Sequence, residues 1–179
     1  YLDRNIGEDN YLLVLTADHG VADLPEWQLE NKTARCPNPS GRLDLYPFMA
    51  RLYSSVYWRE TFPFDLPTDL IKILGNQVYI NPAYVAANQL DFSQIKVDLK
   101  DHFESVDIIK QAWTQAEIMA GTSEEARLLR NSLVPGRSGD LMLQVYPDCV
   151  IRTDKTGTTH GSLYDYDRAI PMLFYGAGV

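Results

Sequence analysis

Residues 11–16 (YLLVLT) constrain this chain more than any other stretch. They form a short, almost wholly apolar run, followed at once by Ala17, Asp18, His19 and Gly20. A run of this length that stops at polar residues and glycine reads as a strand buried on both faces. Its carboxyl end then carries Asp18 and His19, and open α/β sheets assemble their binding sites at the carboxyl ends of strands. A second run of this kind is residues 171–175 (PMLFY), closed by Gly176, Ala177 and Gly178. Ahead of it lies a loop-like stretch, residues 157–162 (GTTHGS), with His160 among small neighbours. Two of the three histidines therefore sit in glycine-flanked loops beside apolar strands. The third, His102, follows a charged helical stretch.

Between these ends helices and strands alternate, which points to an α/β or α+β domain. Residues 43–57 have helix-like apolar spacing, with Pro47 in the first turn. Residues 77–80 form a short strand. Residues 82–90 and 91–103 read as helices, the second opened by Asp91 as N-cap. Residues 106–113 read as a strand, with a helix continuation as the alternative. Ser123 caps a helix running to Leu133, and residues 141–146 (LMLQVY) form a further strand.

Composition narrows the classes. The chain of 179 residues is long enough for one sizeable core, and 45% hydrophobic with 22% charged residues argues against disorder. No apolar run reaches the roughly 18 residues that suggest a membrane span. No signal peptide is visible, and Tyr1 in place of Met suggests a start inside a longer product. The net charge of −8 disfavours binding to a nucleic-acid polymer. It would also repel a phosphate ester unless bound cations inverted the local field. Cys36 and Cys149 form no CxxC unit, which excludes a zinc knuckle. They could pair as a disulfide or remain two buried thiols.

Carboxylate oxygen and imidazole nitrogen together suit zinc, so Asp18, His19 and His160 are the candidate metal ligands. Taken singly, each could be an ordinary loop residue. A real site requires the three to converge to within about 6 Å. Asp165 and Asp167 could orient the His160 ring or be solvated loop acids. Tyr53, Tyr57 and Trp58 read as packing residues, and Arg137 as a helix cap or a brace for the site. Asn31-Lys32-Thr33 fits a glycosylation sequon of the kind that arises often by chance.

Together the two glycine-flanked segments are more specific. Thr16-Ala17-Asp18-His19-Gly20 resembles a metal motif of the alkaline phosphatase superfamily, and residues 157–167 followed by 170–176 resemble its C-terminal histidine motif. The match is closest to the type I phosphodiesterase/nucleotide pyrophosphatase branch, which residues 137–140 (RSGD) and 77–81 (QVYIN) also resemble.

The resemblance implies part of a three-layer α/β sandwich with a central, mostly parallel sheet and flanking helices. An inserted subdomain would lie within about residues 25–135 of a 1–179 downstream portion. Asp18 and His19 would ligate the zinc that activates the nucleophile, and His160 the zinc at the leaving group. The nucleophilic Thr or Ser and the remaining ligands would lie upstream, leaving this chain inactive alone. The implied substrate is a phosphate ester, monoester or diester, and the implied location periplasmic or secreted. The alternatives are a sulfatase or phosphoglycerate-mutase-like relative, and a noncatalytic binding domain on the same scaffold.

Overall fold

A computed structural model describes residues 1–44, 69–152, 154 and 156–179. The helix expected over residues 43–57 and the aromatic residues Tyr53, Tyr57 and Trp58 lie largely outside these; Leu43, which is described, is in a strand.

Leu12–Thr16 is strand β1, and Met172–Gly176, the last strand along the chain, is β8. They pair antiparallel, with Val14 opposite Phe174 and Leu13 opposite Tyr175. Both strands lie where the apolar runs put them, but they are not buried on both faces. Leu15 is 61% exposed and Leu173 58%. The ribbon has two strands only, so no layer among the described residues covers it. Such exposure of alternating Leu, Val, Met and Phe is unusual for a sheet that ends there.

The largest sheet has four strands, formed by β3 (Ile71–Leu74), β4 (Gln77–Ile80), β5 (Ile109–Thr114) and β6 (Leu141–Val145), in the order β3-β4-β6-β5. The mixed α/β class expected from sequence holds, and this four-stranded sheet is antiparallel throughout. Among the described residues, only the short pair β2 (Arg42–Leu43) and β7 (Val150–Ile151) is parallel. The cause is local for β3 and β4. The two residues Gly75 and Asn76 join them, too few for a parallel crossover, and Gly75 takes φ +60°.

The four-stranded sheet carries helices on both faces. Successive strand residues point to opposite sides. Ala112, Leu141 and Leu143 face one core cluster, and Trp113 and Met142 face the other. The first cluster is covered by the helix Phe92–Glu104, which presents Ile95, Leu99 and Phe103 four residues apart, all buried. Burial of each stabilises by roughly 1.5–3 kcal/mol. Asp91 caps this helix by accepting from the N–H groups of Ser93 and Gln94. The helices Gln115–Ala120 and Glu124–Ser132 cover the opposite face through Ile118, Ala126 and Leu129. The first opens with a capping box between Thr114 and Glu117, the second with Ser123.

The segments at 77–81 and 137–140 meet inside this sheet. Asp140 Oδ2 accepts from the Ile80 N–H at 2.8 Å, and Gln77 Oε1 accepts from the Gly139 N–H at 2.8 Å. The two segments thus brace each other, and Gln115 donates to the Ser138 and Gly139 carbonyls beside them. Arg137 is exposed on the turn that follows the helix Glu124–Ser132.

Candidate metal centre

Three strand-end and loop segments converge beside the β1–β8 ribbon. β1 ends at Thr16, whose hydroxyl donates to the Pro171 carbonyl at 3.0 Å just before β8. Asp18, His19 and Gly20 follow without a regular element. The loop carrying His160 returns alongside them. Its entry is held by Thr158, whose hydroxyl donates to the Ala22 carbonyl at 2.8 Å across 136 residues of chain. The Arg42 guanidinium donates to the Gly157 carbonyl at 2.8 Å, and Arg152 donates to the Thr158 carbonyl. Arg42 also clamps Glu26 through two hydrogen bonds of 2.7 Å, which holds the Glu26 carboxyl down at about 2. Gly157 and Gly161 flank His160 at φ +73° and +98°, a backbone region that favours glycine.

The two histidines come together. Their ring centroids are 3.5 Å apart and the rings lie 14° from parallel. Asp18 Oδ2 sits 3.6 Å from His19 Nε2. His19 Nδ1 lies 2.7 Å from the Gly20 carbonyl oxygen, which can only accept, so Nδ1 carries a proton and donates. In the neutral ring this leaves the Nε2 lone pair facing a carboxylate oxygen. Two acceptors face each other at a distance that suits a cation between them. Two ligands on a tetrahedral zinc with bonds near 2.0–2.2 Å lie roughly 3.3–3.6 Å apart. Ring orientation set by a backbone carbonyl on the other nitrogen is what metal-ligating histidines commonly show. Asp18 and His160 are exposed, and the His19 side chain is 39% exposed, so the donors are open to solvent.

The set is nevertheless partial. Among the described residues no three His, Cys, Asp or Glu side chains converge to hold one ion. The third histidine, His102, lies in the helix Phe92–Glu104.

Gly20 is required for a different reason from the sharp turn that its type suggests. A β-carbon there would collide with the Tyr166 carbonyl oxygen. Tyr166 belongs to the short helix Asp165–Arg168, which packs under both loops. Asp167 in this helix makes no hydrogen bond to the His160 ring. Its Oδ2 accepts from the Ser162 N–H at 2.6 Å. Asp165 is exposed and pairs with Arg168 at 2.7 Å, as a solvated loop acid does. Behind the His160 loop lies a cavity of about 120 Å³, bordered by Gln144, Cys149, His160, Tyr164, Tyr166 and Asp167. Tyr164 donates to the Val145 carbonyl at 2.8 Å, and burial pushes its phenol up to about 12. Cys36 and Cys149 form a disulfide, and Arg35 beside it makes a two-pronged pair with the buried Asp148.

No family profile matches the chain. Individual relatives match along all of it. A calcium-transporting ATPase of Myroides odoratus is 32% identical, over 100% of this chain and 32% of that protein. Alkaline phosphatase PhoV of Synechococcus elongatus is also 32% identical, over 100% of this chain and 30% of its own length. Alkaline phosphatase PafA of Elizabethkingia meningoseptica is 24% identical over 99% of this chain. A crystal structure of PafA superposes with a TM-score of 0.80 at 24% identity, covering 99% of this chain and 32% of that one. The chain therefore spans about a third of the length of the relatives it matches. Its fold is part of an alkaline-phosphatase-like fold, and its resemblance to that superfamily holds along the whole sequence.

Proposed function

We propose that this chain, related to alkaline phosphatases over its whole length, is the downstream portion of a two-zinc phosphoester hydrolase. The observation that carries the reading is the meeting of His19 and His160, brought face to face from opposite ends of the chain. An imidazole lone pair lies in the ring plane. Two nearly parallel rings therefore suit two neighbouring ions better than one shared ion.

Asp18 and His19 would hold one zinc and His160 the other. When bound, the pair supplies positive charge that stabilises the attacking and leaving oxygens of an in-line displacement. The chain's own part is to hold those donors. The Gly20 carbonyl fixes the His19 tautomer, and Arg42, Arg152 and Thr158 hold the loop in front of His160. Local cations also answer the −8 net charge, which would otherwise repel the phosphate ester substrate.

The nucleophile, a Thr or Ser forming a covalent phospho-intermediate, belongs to the remainder of the parent protein, as do the other ligands. The exposed β1–β8 ribbon supports this division, since its apolar faces need a cover that the described residues lack. An inserted subdomain within about residues 25–135 would take in β3, β4 and β5 with the helices that follow them. The GTTHGS context of His160 favours the phosphodiesterase/nucleotide pyrophosphatase branch over a sulfatase. A periplasmic or secreted location agrees with the Cys36–Cys149 disulfide. One relative is named a transporter. The Asp-His and His donors of this chain speak for hydrolysis of a phosphate ester.

The test is turnover of p-nitrophenyl phosphate with zinc present. The intact parent protein should hydrolyse it, and the purified 179-residue chain, free of host phosphatase, should not. Turnover by the chain alone would overturn the division of the site.

A further inference from the structure

The two loops of the proposed metal centre meet on one residue of the helix beneath them. Asp167 is only 5% exposed. Its backbone carbonyl accepts from the Gly20 N–H at 2.8 Å, directly after His19. Its side-chain Oδ2 accepts from the Ser162 N–H at 2.6 Å, two residues after His160. One residue thus grips both segments from below, by main chain on one side and side chain on the other. We infer that Asp167 is a positioning residue whose two hydrogen bonds set the face-to-face spacing of His19 and His160. The inference rests on the metal-centre reading for its purpose, although the geometry it concerns exists without metal.

Three observations carry it. Its helix is itself fixed: Tyr164, at the helix N-cap, donates to the Val145 carbonyl, and the Asp148 N–H donates to the Tyr166 hydroxyl at 3.3 Å. The grip on Gly20 is close enough to exclude a side chain there, because the Tyr166 carbonyl occupies that space. Finally, a buried carboxylate is a costly way to bind a single N–H, since burial penalises its charge. Asp167 Oδ1 has no hydrogen-bond partner among the described residues, while the residue borders the same cavity as His160. A neutral Ser or Asn could accept the one bond at a smaller desolvation cost. The carboxylate makes sense where cations stand nearby and attract it.

The experiment uses metal-free NMR of the 179-residue chain. Stacking displaces the carbon-bound ring protons of both histidines upfield, and Asp167→Ala, which loses the bond to Ser162 but keeps the main-chain bond to Gly20, should reduce that displacement for His19 and His160. Asp167→Asn keeps an oxygen to accept from Ser162 and should restore it. Asp167→Ala with unchanged histidine shifts and a native amide spectrum would overturn the proposal. Should Asp167→Ala fail to fold, hydrogen exchange of the wild-type chain decides: slowed exchange at the Gly20 and Ser162 amides supports the grip, and exchange as fast as in a free peptide refutes it. Zinc is then titrated separately. A wild-type chain whose histidine signals ignore zinc would count against the metal reading, while the grip stands or falls on the metal-free shifts.

Discussion

The imidazole of His19 lies against that of His160, centroids 3.5 Å apart and planes 14° from parallel. No local motif joins these residues. They meet because β1 and β8 pair antiparallel and each delivers one loop to the same end of the ribbon. The loops are then fixed by Thr158 to Ala22 and by Asp167 to Gly20 and Ser162.

Gly20 is the tightest point of that junction. In Gly20→Ala the new methyl group must push away the Tyr166 carbonyl, a main-chain atom with little freedom to yield. The expected cost is about 1–3 kcal/mol, in the range of overpacked core sites. Urea denaturation of the variant against wild type measures it. A stability within about 0.5 kcal/mol of wild type, the range of neutral surface changes, would contradict the packing described.

The Cys36–Cys149 disulfide joins residues 113 apart with Cα atoms 5.1 Å from each other. It anchors the loop after the helix Pro25–Glu30 to the turn between β6 and β7. Reduction should lower unfolding free energy by about 2–5 kcal/mol. A variant with both Cys36→Ser and Cys149→Ser should match the reduced protein and show no response to reductant. Denaturation curves with and without dithiothreitol check both points.

The Tyr164 phenol gives a pH signature at the alkaline end. Burial raises its folded value from the ordinary 10.0 to about 12. The folded state thus favours the neutral phenol, which donates to Val145. The resulting stability is fully present below pH 10 and is lost as pH rises from there toward 12. In Tyr164→Phe this contribution is missing. The stability gap between wild type and Tyr164→Phe should stay constant up to pH 10 and narrow above it, read from urea denaturation over a pH series. Tyr166, also raised by burial, remains in both proteins and cancels in the difference.

Much of this was legible in the sequence where one local signal decided the outcome. Asp91 and Ser123 marked helix starts as caps, and the runs ending in Thr16 and Tyr175 marked β1 and β8. The capping box Thr114 to Glu117 was equally readable, but its helix follows β5 without a break and merges with the strand signal. Burial of the ribbon was not legible. An apolar run says that a cover is needed, not where in the parent protein the cover lies. The candidate site divides in the same way. Asp18, His19 and His160 stood out by residue type and glycine flanks, and the fold brings the two histidines into contact. Asp167 stood out beside His160 as a residue that could orient its ring, but its contact with Gly20 left no mark in the sequence, because it uses a main-chain carbonyl that any residue has.

The central claim, that Asp18, His19 and His160 serve two neighbouring zinc ions, is tested most directly by metal content. The intact parent protein would be purified, dialysed against trace zinc and measured by inductively coupled plasma mass spectrometry. Wild type should carry about two zinc ions per chain, and His19→Ala and His160→Ala each about one, as expected for separate sites in a two-metal centre. Retention of both ions in the His19→Ala/His160→Ala double variant would contradict the account.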